Sequence, residues 1–129
     1  MFYYSSQNSG KSSGLSLRIS RAITKTEENA RKIEPYIRKD AHLSEFFVGG
    51  ILFLGLFLTY NIKDAYKITI SIICGVLYAI SDEIHQYFVP GRVCQIQDMF
   101  IDSIGVALGV FTLMLIVELI KRKRKVSNV

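Results

Sequence analysis

Residues 46–60, 68–80 and 103–117 each run without a charged side chain, and these three stretches constrain the fold more than anything else in the chain. Each holds about 13 to 15 residues, which as helix covers roughly 20 to 23 Å. The hydrocarbon layer of a bilayer is about 30 Å thick. If the stretches cross a membrane, the missing length must come from their flanks, and the flanks carry His42, Glu45, Asp82, Glu83, Gln86, Asp98 and Asp102. Spanning therefore draws acidic groups into the bilayer boundary.

Runs this short also occur as the buried helices of a soluble bundle. Here, however, VGGILFLGLFLTY and GVALGVFTLMLIV are apolar on every side, and such a helix has no face to offer to water. The expected fold is all-α: a polytopic membrane protein of three transmembrane helices preceded by an N-terminal amphipathic helix. With 129 residues, the chain has room for one unit.

Ahead of the spans, residues 1–15 are rich in Ser, Gly and Asn and read as an extended or loop segment. Residues 16–39 favour helix, with Leu17, Ile19, Ala22, Ile23, Ala30, Ile33 and Ile37 spaced among charges in an amphipathic pattern. Pro35 interrupts that pattern and is expected to open the next helix, where proline is tolerated in the first turn. Residues 1–13 contain no apolar core of a signal peptide, so insertion is expected to rely on the internal spans. Short connections are expected at 61–67 and 88–97, the second carrying the turn signal Pro90-Gly91.

The net charge of +5 is concentrated at the two ends, including Lys121-Arg122-Lys123-Arg124-Lys125. Basic ends flanking apolar spans point to anionic lipid headgroups rather than nucleic acid; a solvated tail is the plainer reading of the same run. Cys74 and Cys94 lie too far apart along the chain for a bridge to be expected.

Lys63, Lys67 and residues 121–125 share one side of the membrane, which by the distribution of basic residues should be cytoplasmic. The acidic flanks then lie at the outer face. The same rule is offended by residues 1–41, which carry eight Lys or Arg on that outer side. A preceding span outside this sequence would resolve the conflict.

On the first membrane helix Arg38, His42 and Glu45 fall at i, i+4 and i+7, within one stripe. Asp82, Glu83 and Gln86 occupy the outer end of the second, with 82 and 86 on one face. On the third, Asp98, Asp102, Gly105 and Gly109 lie within about 60° of one another around the axis. Ionised groups near hydrocarbon are costly, so they are expected to turn toward one another, a cation or water. Gly105 and Gly109 are expected to let another helix approach on the acid-bearing face. Simpler roles stand beside the functional ones: Asp98 as a helix N-terminal acid, Arg92 as an anchor at the interface, His42 as a hydrogen-bond partner of an acid, and Asp82, Glu83 and Asp102 as a structural network.

The run Tyr78-Ala79-Ile80-Ser81-Asp82-Glu83-Ile84-His85-Gln86-Tyr87-Phe88-Val89-Pro90-Gly91-Arg92, followed by Asp98-Met99-Phe100-Ile101-Asp102-Ser103-Ile104-Gly105, resembles the VanZ-like family. Arg38-Lys39-Asp40-Ala41-His42-Leu43-Ser44-Glu45 is similar to its upstream signature, and Tyr4-Ser5-Ser6-Gln7-Asn8-Ser9 with Ser12-Ser13 to a third element. The resemblance covers almost the whole chain in family order. It implies a bacterial membrane protein of the group named for low-level teicoplanin resistance, normally with a further hydrophobic helix ahead of the Ser-Ser-Gln element. On that pattern residues 1–129 form a VanZ-like domain without the usual first span, or with a start codon assigned late. Val93-Cys94-Gln95-Ile96-Gln97 departs from the small or basic residues usual between Arg92 and Asp98.

The polar cluster supports three classes of function. The first is a binding site, with Arg38, His42 and Arg92 engaging anionic oxygens of a glycopeptide or a lipid-linked envelope precursor, and the carboxylates holding those cations or accepting hydrogen bonds from hydroxyls or amines. The second is an intramembrane hydrolase or transferase using His42 with a carboxylate. The third is a proton-linked transporter or assembly subunit. No fixed-spacing metal motif is present; no metal or cofactor is expected, membrane lipids are the expected partners, and an oligomer is left open.

Overall fold

The computed structural model describes residues 9–24, 26–89 and 96–127. They form four helices, α1 (Ser9–Ile23), α2 (Glu27–Leu58), α3 (Asp64–Tyr87) and α4 (Ile96–Ser127), with no strand among the described residues. Three of them, α2, α3 and α4, are long and apolar enough to cross a membrane.

The N-terminal half differs from expectation in two ways. Helix α1 already begins at Ser9, inside the Ser- and Gly-rich segment read as loop, and α2 passes through Pro35 without a break. Helix α1 instead ends at Ile23, where the Thr24 hydroxyl donates to the Ser20 carbonyl at 2.7 Å, and Thr26 adopts an extended conformation before α2. Arg21 of α1 pairs with Glu27 at the start of α2 at 2.7 Å. Tertiary packing accounts for both differences: α1 lies against α2, burying Ser16 and Ser20 on one side and Ala30 on the other. That contact holds helix on both sides of Pro35, although proline removes one backbone hydrogen bond and crowds the preceding turn.

Helices α2 and α4, at 32 residues each, are about 48 Å long, and α3, at 24, about 36 Å. The two longer helices overhang the hydrocarbon at opposite ends, α2 at its N-terminus and α4 at its basic C-terminus. Only 22%, 28% and 22% of the most apolar stretches of α2, α3 and α4 is buried within the bundle. Leu52, Leu77 and Leu115 are 67%, 60% and 58% exposed. Leucine faces of this extent are incompatible with water and belong against lipid tails: the chain is a multi-pass membrane protein in contact with membrane lipid. Exposed Tyr66 and Tyr87 bracket α3. The helix rises about 31 Å from one position to the other, close to the thickness of the hydrocarbon layer, a spacing that suits tyrosines at the two membrane–water interfaces.

Contact between α2 and α4 dominates the interior. A Cβ added to Gly105 would stand 2.7 Å from the Leu43 carbonyl oxygen, and one on Gly109 would collide with the Phe47 carbonyl. The glycine face of α4 thus meets α2 backbone to backbone. Two further glycines close the packing. The Val106 backbone sits against Gly50 of α2 and its side chain against Gly75 of α3, so one buried valine touches both neighbouring helices. Phe46, Leu54, Ala79 and Val110 complete the core.

The two ends of the bundle differ in chemistry. At one end Asp64 of α3 pairs with Lys67 at 3.1 Å and with Lys121 of α4 at 3.3 Å, so the α2–α3 connection and the basic tail share a side. The helix from Asp64 to Asp82, and that from Lys121 back to Asp102, each climb about 27 Å. The polar stripes therefore stand at the opposite hydrocarbon boundary.

Candidate site at the acidic end of the bundle

Residues from three helices converge at this boundary. Asp82, Glu83 and Gln86 of α3 are 3%, 1% and 3% exposed, and Asp102 of α4 is 0% exposed. Glu45 of α2 and Asp98 of α4 are half-buried. Helical spacing explains the local order. Gln86 lies one turn beyond Asp82, and its amide donates to Asp82 Oδ2 at 2.8 Å. Asp98 and Asp102 are likewise one turn apart, on the α4 stripe that Gly105 and Gly109 continue toward the core.

The carboxylates of Glu83, Asp82, Asp98 and Glu45 all act electrostatically on Asp102, Glu83 most strongly. Asp98 stands in the first turn of α4, where the helix dipole also favours an acid; both influences apply to it at once. Both oxygens of Asp102, with Asp82 Oδ1 and Asp98 Oδ1, are shielded from solvent and lack a hydrogen-bond partner among the described residues.

The cations are placed differently. Arg38 and His42 are half-buried on α2, with Arg38 two turns outward of Glu45, about 10 Å along the axis. No Lys or Arg is among the buried polar residues described. Arg92, together with Cys94, the Pro90-Gly91 turn and the Ser-Ser-Gln element at 5–7, lies outside the described residues. Cys74 carries a free thiol on α3. Among the described residues no three His, Cys, Asp or Glu side chains are arranged to hold a metal ion.

Two neighbours were not singled out in the sequence. Tyr78, one turn inward of Asp82, packs its ring against Phe46 at 6.1 Å and Phe53 at 6.5 Å, and feels the charges of Asp82 and Glu45. It forms the floor between the acids and the apolar core. His85 is half-buried on the adjoining stripe of α3. An i−4 relation to Asp82 was the available signal for Tyr78, but an aromatic ending an apolar run reads equally as core.

The profile of the VanZ/LLP1 family matches residues 1–117. The chain belongs to the VanZ/LLP1 family. No curated protein matches it, and no solved structure matches it. The matched range of this VanZ/LLP1 member takes in all three polar stripes and ends before the basic tail.

Chemically, the VanZ/LLP1 site is a set of acceptors. Carboxylates held away from water, with no Lys or Arg buried beside them among the described residues, accept hydrogen bonds from a donor-rich group, or hold a positive charge, far more strongly than the same groups would in solution.

Proposed function

We propose that this VanZ/LLP1 member resides in a bacterial cell membrane with its C-terminus in the cytoplasm, and that the polar cluster at the outer boundary binds an envelope ligand. The ligand is a glycopeptide of the teicoplanin type or the headgroup of a lipid-linked envelope precursor, and binding alters glycopeptide susceptibility. The observation that carries this reading is the convergence of Glu45, Asp82, Glu83, Gln86, Asp98 and Asp102 from three spans at one boundary. Charged groups held at such depth are costly and persist where they serve a ligand or ion. Arg38 and His42, outward on α2, line the approach, and Arg92 is proposed as a third basic contact. Lys63, Lys67 and the 121–125 run favour the cytoplasmic assignment of the other end.

The test is teicoplanin susceptibility of a host with and without the gene, and with Asp82→Ala or Arg92→Ala expressed at the wild-type level. Both variants are expected to return susceptibility to that of the host lacking the gene. Wild-type behaviour of both at normal membrane abundance would remove the cluster from the function.

A further inference from the structure

The acceptors at the cluster define the ligand more narrowly than its location does. Four carboxylate oxygens, Asp82 Oδ1, Asp98 Oδ1 and both of Asp102, are shielded without a hydrogen-bond partner among the described residues, and Asp102 is fully buried. Unpaired buried acceptors are destabilising, more so when ionised, so four together demand donors. A metal ion requires several ligand atoms at fixed short distances, an arrangement absent among the described residues. An ammonium group requires less. Its three N–H donors need only oxygens within ordinary hydrogen-bond range, and its charge offsets theirs.

We propose that the Asp82, Asp98 and Asp102 carboxylates recognise a primary ammonium group, carried by a lipid headgroup or by a soluble amine. This rests on the ligand-binding reading above and states which part of the ligand the cluster takes. Gln86 is a positioning residue: its amide occupies Asp82 Oδ2 and leaves Oδ1 for the ligand. A quaternary ammonium carries the charge without the N–H donors, so it cannot satisfy these acceptors.

The experiment uses the full chain in nanodiscs of phosphatidylglycerol, which has no amine. Thermal unfolding is followed by circular dichroism during titration with ethanolamine or, at matched ionic strength, choline. Ethanolamine is expected to raise the melting temperature saturably and choline to leave it unmoved. Asp102→Asn, nearly isosteric, should weaken the response about tenfold or more, while Asp64→Asn at the opposite end should retain it. Asp98→Asn, at a half-buried position, serves if Asp102→Asn does not fold.

A second arm separates the sources. In nanodiscs of mixed phosphatidylethanolamine and phosphatidylcholine, native mass spectrometry should find phosphatidylethanolamine retained by wild type and lost from Asp102→Asn if a lipid supplies the amine. If a soluble amine does, added ethanolamine should still stabilise the protein in those discs. Equal responses to ethanolamine and choline, no response in either arm, stabilisation by magnesium in place of the amine, or an unaltered Asp102→Asn protein each overturn the proposal. None of these readouts measures drug susceptibility. Failure here therefore leaves the susceptibility reading standing, and an intact amine response beside unchanged susceptibility sinks only that reading.

Discussion

Replacing Gly105 by alanine tests the packing that brings the acids together. The new Cβ would stand 2.7 Å from the Leu43 carbonyl oxygen, 3.2 Å from Phe46 Cβ and 3.3 Å from the Phe47 nitrogen. Two of these three atoms are α2 backbone, so no rotamer change relieves the contact. Restoring 2.7 Å to an ordinary 3.4 Å contact parts α2 from α4 by about 0.7 Å at this level. A gap of that order forfeits roughly a quarter to a half of the dispersion energy at each contact pulled apart, and overpacking of this kind costs about 1–3 kcal/mol. Alanine returns roughly 0.5–1 kcal/mol through its higher helix propensity. The net expectation is a loss of about 1–2 kcal/mol, or about tenfold in the unfolding equilibrium. Gly55 on α2 provides the control, since a Cβ there meets nothing within 4 Å; Gly55→Ala should be neutral or mildly stabilising. Unfolding by sodium dodecyl sulfate in mixed micelles, followed by circular dichroism, measures both. A Gly105→Ala protein as stable as Gly55→Ala would refute the backbone-to-backbone approach of α2 and α4.

Two further outcomes bear on the frame around the site. Pro35→Ala should restore a backbone donor in a helix that already continues through this position, lowering amide hydrogen exchange across residues 31–38 by a stabilisation of about 1–3 kcal/mol; faster exchange there would mean that proline sets the helix geometry the fold needs. In a background with Cys74 and Cys94 changed to serine, Asp64→Cys with Lys121→Cys should be joined by a short bis-maleimide, because the native side chains meet tip to tip at 3.3 Å and the shorter cysteines need a linker longer than a disulfide, whereas Asp64→Cys with Asp98→Cys should not. The native ion pair, half-exposed on both sides, contributes at most roughly 1 kcal/mol, so the double variant should retain its fold; cross-linking of the second pair would invert the arrangement of the ends.

The acidic end carries a cost in stability. A soluble protein hydrates surplus carboxylates, but here they are held between three helices, with Asp102 and Glu83 almost fully enclosed. The packing that encloses them is unusually close. Gly50, Gly75, Gly105 and Gly109 leave no room for a methyl group beside the atoms they face, so the bundle cannot open around the acids without losing its best contacts. A cluster built this way is rigid, and what it presents is acceptor oxygens and negative charge.

Much of the architecture was legible because its signals are local. Uncharged stretches of 13 to 15 residues report membrane spans through the cost of desolvating the backbone and charges, and i, i+4 and i+7 spacing places Arg38, His42 and Glu45, or Asp98 and Asp102, on one stripe whatever else the chain does. The shortfall of those stretches against the bilayer likewise put the acids at the boundary before any helix was positioned. Other features depended on which surfaces meet. No spacing rule says that Val106 fills the space left by Gly50 and Gly75, that Tyr78 floors the acids, or that the enclosed part of the cluster contains carboxylates and an amide but no arginine among the described residues. The run through Pro35 and the early start of α1 at Ser9 follow the same logic. Helix propensity differs by only about a kcal/mol per residue in the Ser- and Gly-rich start of α1 and by about 3 kcal/mol at a proline, and the packing of α1 on α2, which buries Ser16, Ser20 and Ala30, opposes both costs. Periodicity fixes the direction of each stripe around its own axis; only close packing between helices chooses the stripe it faces.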